Sequence, residues 1–165
     1  MKILGIDFGI KRVGLALTDP GGVLAYPLPA IERTTRDALF ADLTALVERE
    51  GVERVVVGLP LGLDGQDTET TRQARNFAAS LARRVEAPVE LADERFSSLE
   101  AEGRLREAGG RGRKVKQKLD SQAAVIILET WLARNVAHNV ARNVTQSVAQ
   151  NAAKSPADNP DEESA

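Results

Sequence analysis

One carboxylate inside an apolar strand is the most informative residue of this sequence. Residues 2–8, Lys-Ile-Leu-Gly-Ile-Asp-Phe, alternate like a β-strand and place Asp7 on the face opposite Leu4. Asp is depleted in strands, and burying an unpartnered carboxylate is costly. An Asp that caps the turn after the strand is the structural alternative. The flanking Gly5 and Gly9 favour a functional residue instead, because a missing side chain lets a ligand approach the backbone closely.

Two further carboxylates stand where a strand ends and where a helix begins. Glu94 follows the predicted strand at residues 89–92, at the carboxyl end where open sheets bind ligands, and Asp93 competes for the same role. Asp120 opens a long helix and shares a face with Ala124, so we expect it to be turned toward the sheet. Each has a structural alternative, a solvated loop acid for Glu94 and a helix N-cap for Asp120.

The three carboxylates together suit one metal site. A strand centre, a strand end and a helix start can bring Asp7, Glu94 and Asp120 to one edge of a sheet. Carboxylate oxygens are hard ligands for Mg²⁺ or Mn²⁺, whereas the absence of cysteine and the single histidine argue against zinc. Two such ions about 3.5–4 Å apart activate the attacking water and stabilise the leaving oxygen of a phosphodiester. His138 lies in a repeat and is interpreted as a solvated helix residue.

The elements around these acids predict an α/β protein. Apolar runs bounded by turn residues predict five strands, and helical spacing predicts four helices. We expect strands at residues 2–8, 12–18, 23–31, 54–58 and 89–92, and helices at about 34–47, 68–85, 97–108 and from 118 onward. The order β-β-β-α-β-α-β-α-α favours a mixed five-stranded sheet with flanking helices.

Local signals refine the ends and edges of these elements. Thr34, followed three residues later by an acid, resembles a capping box and predicts the start of the first helix. Ser97 gives the same signal for the third helix. Pro27 and Pro29 predict that the third strand lies at the sheet edge, because proline cannot donate to a hydrogen-bond ladder.

Composition indicates one folded domain followed by two appendages. The 165 residues, 42% hydrophobic and 28% charged, suffice for a globular core, which we place at residues 1–134. Residues 135–154 repeat a four-residue pattern and are expected to extend the last helix, while 155–165 are acidic and expected to be disordered. Without cysteine, a signal peptide or a long apolar run, the sequence predicts a cytoplasmic protein that does not cross a membrane.

Basic residues gather beside the third acid. Residues 109–117 form a predicted glycine-rich loop that carries Arg111, Arg113, Lys114 and Lys116. Such a run is usually a solvated surface, but cations beside a metal site suit contacts with a phosphate backbone. Further candidate nucleic-acid contacts are Lys11, Arg12 and Arg95. No aromatic residue is interleaved with the basic residues of the predicted loop, so base stacking there is not predicted.

The three acids lie in an ordered set of four motifs spread over residues 1–132. In order they are Ile6-Asp7-Phe8-Gly9 with Lys11-Arg12-Val13-Gly14-Leu15-Ala16, Val57-Gly58-Leu59-Pro60, Asp93-Glu94-Arg95-Phe96-Ser97-Ser98 and Asp120-Ser121-Gln122-Ala123-Ala124. Together they resemble the ordered motifs of the YqgF family, also called RuvX. Its members are Holliday-junction-resolvase-like proteins linked to nuclease processing of precursor 16S ribosomal RNA. The resemblance implies a ribonuclease-H-like fold and a bacterial cytoplasmic nuclease.

The resemblance also implies a site and a substrate. The family's acidic residues fall on Asp7, Glu94 and Asp120, which are thereby implied to be catalytic and to bind Mg²⁺ or Mn²⁺. Related resolvases carry a further acid three positions after the last Asp, where this chain has Ala123, so the implied site is one acid smaller. The implied activity is phosphodiester hydrolysis in processing the 5′ end of precursor 16S ribosomal RNA, by a monomer or a homodimer.

Three other functions stay open at this point. A resolvase of Holliday junctions or other structured DNA would use the same site on DNA. A non-catalytic nucleic-acid-binding module for ribosome assembly would keep the fold and bind through the basic residues. A nucleotide-phosphate-binding protein of the actin and sugar-kinase kind shares an apolar-Asp-x-Gly hairpin, but it needs a second related domain, and this chain shows no second copy.

Overall fold

A computed structural model describes residues 1–93 and 113–153, with the side chains of residues 113–120 outside the description. The described chain forms five strands and three helices. The strands are β1 Ile3–Phe8, β2 Arg12–Thr18, β3 Ala25–Glu32, β4 Arg54–Leu59 and β5 Val89–Asp93, and the helices are α1 Arg36–Glu50, α2 Glu69–Ala82 and α3 Arg113–Ala153. The predicted helix at 97–108 and the predicted disordered tail at 155–165 lie outside the described residues.

The strands form one mixed sheet in the order β3-β2-β1-β4-β5. β1 runs antiparallel to β2 and parallel to β4, and β4 runs parallel to β5. β3, which carries Pro27 and Pro29, lies at the edge of the sheet, as its prolines predict. The predicted α/β fold with a mixed five-stranded sheet is confirmed.

β1 separates two apolar cores. Leu4 and Ile6 pack against α1 and α2, whereas Ile3 packs against α3 on the other face of the sheet. The predicted alternation of β1 is therefore confirmed. The consecutive valines Val55 and Val56 of β4 are fully buried on opposite faces, because helices cover both sides of the sheet.

The apolar stripes predicted for α1 and α2 are confirmed, while the start of α1 is one residue later than predicted. The buried stripe residues are Leu39, Leu43, Leu46, Val47, Ala74, Phe77, Ala78 and Leu81. Thr35, not Thr34, is the N-cap, and its hydroxyl accepts a hydrogen bond from the Ala38 N–H. Both threonines suit a cap by type, so only the point at which the backbone becomes helical decides between them.

α3 begins earlier than predicted. The sequence places its start near Lys118, whereas the helix already includes Arg113. The last glycine of this region is Gly112, and the lysines and glutamine that follow are good helix formers, so nothing delays the helix. Part of the predicted basic loop is therefore helical, and Lys114 and Lys116 belong to α3.

Contacts divide the chain into two compact units, Met1–Leu132 and Ala133–Ala165. The first unit contains the sheet and the two apolar cores. In the second unit, residues 133–153 are helical, and His138 is exposed, as predicted for that residue. Within the described ranges, no helix combines the length and the apolar character needed to span a membrane.

Candidate active site

Asp7 lies near the carboxyl end of β1 and is half-buried. It belongs to the sheet face covered by α3, because Ile3 on the same face packs against that helix. Gly14 is its antiparallel partner on β2, and Gly58 directly follows the β4 residue that pairs with Ile6. Both neighbouring strands therefore carry glycine at the position next to Asp7.

The glycines on either side of the acid are explained by packing. A Cβ atom at Gly5 would lie 2.5 Å from Leu128 Cγ and 3.0 Å from the Ala124 carbonyl oxygen of α3. A Cβ atom at Gly9 would lie 2.5 Å from the carbonyl oxygen of Arg12, inside the β1–β2 turn. The interpretation of these glycines as openings for a ligand is therefore wrong. Their contribution is indirect, because the small residue in β1 lets α3 approach the strand closely.

A serine anchors α3 at the level of Asp7. The Ser121 hydroxyl donates a hydrogen bond of 2.7 Å to the carbonyl oxygen of Leu28 on β3. Leu28 pairs with Leu15 on β2, and Leu15 pairs with Ile6 on β1, so Ser121 lies level with the residue before Asp7. Sequence reasoning gave this positioning residue no role. Its signal is a serine at the start of an apolar helical run, where a hydroxyl seeks a backbone partner.

Asp120 directly precedes Ser121 in α3, and its side chain lies outside the described residues. The helix face predicted to turn toward the sheet does so, and its buried residues include Ala124, Ile127 and Leu128. Ala123, where related resolvases carry a further acid, is 4% exposed. The position of the missing fourth acid is therefore buried in this chain.

β5 separates the two acids that compete for the second position of the site. Along this strand, Ala92 packs with the α3-side core and Val89 packs with the opposite core. Alternation therefore places Asp93, the last residue of β5, on the face away from Asp7. Glu94 lies outside the described residues. Of the two competitors, Asp93 does not share the face of Asp7.

The structure describes the side chains of only two of the predicted nucleic-acid contacts, Lys11 and Arg12. Lys11 is exposed in the β1–β2 turn, at the strand end that carries Asp7. Arg12 opens β2 directly opposite Glu32 of β3, as an opposite-charge cross-strand pair. The side chains or whole residues that lie outside the description are Arg95, Arg111, Arg113, Lys114 and Lys116.

Asp7 fits a hard divalent cation by its donor chemistry. Its half-buried side chain offers carboxylate oxygens on a strand whose two neighbours carry glycine at the adjacent positions. In the residues the structure describes, no three His, Cys, Asp or Glu side chains form a metal cluster. Of the three predicted ligands Asp7, Glu94 and Asp120, Asp7 is the one whose side chain the structure describes.

Relatives of this chain carry a nuclease name. A protein of Maridesulfovibrio salexigens named "Putative pre-16S rRNA nuclease" is 63% identical over 134 residues, which cover 81% of this chain and 99% of the relative. A protein of the same name from Nitratidesulfovibrio vulgaris (strain Miyazaki F) is 54% identical over 132 residues, which cover 80% of this chain and 93% of the relative.

The fold matches a solved structure, T. thermophilus RuvC in complex with Holliday junction substrate, with a TM-score of 0.53. The two chains are 18% identical, and the match covers 81% of this chain and 95% of RuvC. This likeness confirms the predicted ribonuclease-H-like fold. Residues 1–134 also match the sequence family RuvX, described as Holliday junction resolvase. The chain therefore belongs to the RuvX family of nucleases.

Proposed function

We propose that this chain is a divalent-metal-dependent nuclease that processes the 5′ end of precursor 16S ribosomal RNA in the cytoplasm. The observation that carries the proposal is a half-buried carboxylate, Asp7, near the carboxyl end of the central strand β1, on the sheet face that α3 covers. The pre-16S rRNA nuclease name of the relatives at 63% and 54% identity supports RNA as the substrate.

The proposed site joins Asp7 with Glu94 and Asp120. Asp120 belongs to the turn of α3 that Ser121 holds level with the end of β1. Glu94 follows Asp93, which faces away from Asp7, and in an extended chain the next residue returns to the Asp7 face. Three carboxylates from separate elements supply hard oxygen ligands of the kind that Mg²⁺ and Mn²⁺ prefer.

The chain contributes position and charge to the proposed reaction. When bound, the cations supply an activated water and charge stabilisation at the leaving oxygen. Asp7 is held by hydrogen-bonded strands on both sides, so its carboxylate needs little reorganisation to act. The exposed ammonium group of Lys11 at the same strand end attracts the phosphate backbone and sets its position.

A DNA junction is the second candidate substrate. The family match is described as Holliday junction resolvase, and the same acids would then cut DNA. Cutting two strands of a symmetric junction needs two active sites and therefore a homodimer. Trimming one RNA strand needs a single chain, so we propose a monomer for the RNA substrate.

A cleavage panel tests the proposal. Purified protein is incubated with Mn²⁺ or Mg²⁺ and, in parallel, a precursor 16S RNA fragment, unrelated single-stranded RNA, duplex RNA and a DNA four-way junction. We expect cation-dependent cutting of the precursor fragment and an intact junction. We expect Asp7→Asn to lower the rate more than about 100-fold, because even partners that only orient metal ligands are worth about 10–100-fold.

Asp42→Asn is the matched control for that variant. Asp42 is an exposed acid of α1, outside the proposed site, and the same chemical change there should leave the rate unchanged. Cutting by Asp7→Asn at the wild-type rate would contradict the mechanism. Cutting of the junction and not of RNA would favour the second substrate, and RNA binding without any cutting would favour a non-catalytic module.

A further inference from the structure

A concave site opens at the carboxyl end of β1, on the sheet face opposite to that of Asp7. It is a pocket of about 430 Å³ walled by α1, α2 and the β1–β2 turn. Its polar lining consists of two arginines, two threonines and two amides, Arg33, Thr34, Thr35, Arg36, Gln73 and Asn76. No acid is present among the lining residues that the structure describes. The pocket is therefore positively charged.

Both arginines are held in place by neutral groups. Arg33 Nη1 donates hydrogen bonds to the carbonyl oxygens of Gly9 at 2.9 Å and Ile10 at 3.1 Å. Arg36 Nη2 donates to the Ser80 hydroxyl at 2.7 Å. In residues 1–93 and 113–153, no carboxylate forms an ion pair with either arginine. Both charges can therefore attract an anion, and fixed side chains lose little entropy when one binds.

The apolar side of the pocket is built on stacked phenylalanine rings. The Phe8 ring stacks on Phe77 with centroids 4.3 Å apart, and Phe77 stacks on Phe40 with centroids 5.6 Å apart. The Arg33 guanidinium carbon lies 4.3 Å from the Phe8 ring centre. The Arg33 guanidinium and the Phe8 ring therefore form a cation–π contact at one end of the pocket, which stabilises the position of both side chains.

This combination matches the chemistry of a nucleotide. A phosphate pairs with guanidinium groups, and an unstacked base uses amide hydrogen bonds together with contact to a ring or a guanidinium. We propose that the pocket binds one unpaired nucleotide of the substrate strand, with its phosphate at Arg33 and Arg36 and its base at Gln73 and Asn76. The proposal rests on the proposed nuclease function and assigns a substrate subsite to it.

The position of the pocket relative to Asp7 explains why the nucleotide belongs to a strand. Asp7 and Phe8 are consecutive residues of β1 and lie on opposite faces of the sheet. The β1–β2 turn follows Phe8 at the end of the strand, where the two faces of the sheet meet, and it carries the exposed Lys11. A single strand crossing this turn reaches the pocket and the carboxylate, with a cation at the crossing. A duplex resists such a bend, since the persistence length of DNA is about 150 bp.

Binding without cleavage tests the pocket directly. Fluorescence anisotropy of a short labelled single-stranded RNA is measured with a chelator in place of the divalent cation. Arg36→Gln and Asn76→Glu each make the pocket one charge unit more negative. Arg72→Gln makes the same change elsewhere on α2, where Arg72 pairs with Glu69 and is 68% exposed. Asn76 is exposed, so its variant keeps the test valid if Arg36→Gln proves unstable.

We expect the two pocket variants to bind single-stranded RNA about fivefold to tenfold more weakly, while Arg72→Gln stays near wild type. Arg36→Gln should also lower the slope of log affinity against log salt by about 0.7, the value for one phosphate contact to a single strand. Binding of duplex RNA should not distinguish the variants. Equal binding of single-stranded RNA by all three variants, or no binding by wild type, would overturn the proposal.

Two further arms identify the source of the nucleotide and separate the two proposals. If a free nucleoside monophosphate binds as tightly as the strand and loses affinity in Asn76→Glu, the assignment to a strand is wrong. Normal binding by the pocket variants with cleavage lost in Asp7→Asn refutes the pocket alone. Pocket-dependent binding with cleavage unaffected by Asp7→Asn refutes the proposed cutting site alone.

Discussion

Asp7 lies within β1, whereas Asp93 is the last residue of β5 and Glu94 follows it in sequence. Asp7 can be predicted from sequence because alternation and the rarity of acids in strands are local properties. Asp93 and Glu94 are adjacent in sequence, and only the sheet register, with Ala92 paired to Gly58, assigns Asp93 to the face away from Asp7. The role of Gly5 was not predictable, because the α3 residue it accommodates lies more than a hundred positions along the chain.

The two neighbouring acids should respond differently to neutralisation. Glu94→Gln should lower the single-turnover cleavage rate more than about 100-fold, as expected for a metal ligand. Asp93→Asn should cleave at close to the wild-type rate, because its carboxylate belongs to the face of β5 away from Asp7. A large loss in Asp93→Asn with an unaffected Glu94→Gln would show that the assignment of faces at the end of β5 is wrong.

Among the elements, α3 determines the geometry of the site. Ser121 bonds to Leu28 on β3, and Trp131 Nε1 donates to Glu90 Oε2 on β5 at 3.0 Å, so the helix crosses the sheet from edge to edge. Its buried face was predictable from helical spacing. Its start was placed too late, because the predicted loop was continued past Gly112 into residues that are good helix formers.

A methyl group at Gly5 should displace α3 and reduce activity. Gly5→Ala should cost about 1–3 kcal/mol of unfolding free energy, because the added Cβ overlaps a packed side chain and a backbone carbonyl. The cleavage rate should fall with it, since the helix that carries Asp120 moves relative to Asp7. Denaturant unfolding and single-turnover cleavage measure the two effects.

Leu128→Ala provides the control for that variant. It removes the side chain that the new methyl group would meet at 2.5 Å, so the double variant should cost less than the sum of the two single ones. Additive costs would show that Gly5 and Leu128 do not interact as the structure describes.

For the molecule as a whole, the family match and the first compact unit nearly coincide. The match ends at residue 134 and the unit ends at Leu132. Beyond them, exposed valines recur at four-residue spacing, at Val136, Val140, Val144 and Val148. A spacing of four exceeds the 3.6-residue turn, so the stripe drifts by about 40° per repeat. Repeat and composition suggested a boundary near residue 134, which stays a proposal.

Truncation tests that boundary. A chain ending at residue 134 should keep its melting temperature and its cleavage rate, because the sheet, both cores and α3 up to Trp131 are retained. A chain ending at residue 127 should unfold, since it loses Leu128 and Trp131 from the core of α3. Loss of folding or cleavage in the chain that ends at residue 134 would show that residues 135–165 belong to the nuclease domain.

The proposed mechanism requires Asp7, Glu94 and Asp120 to meet at one metal site, and iron-directed cleavage of the protein backbone tests this most directly. Fe²⁺ is loaded in place of Mg²⁺, and ascorbate with peroxide then generates radicals that cut the chain near the bound metal. We predict cuts confined to the surroundings of residues 7, 94 and 120, suppressed by excess Mg²⁺ and lost in Asp7→Asn. Cuts elsewhere, or cuts near residue 7 without the other two, would contradict the shared site.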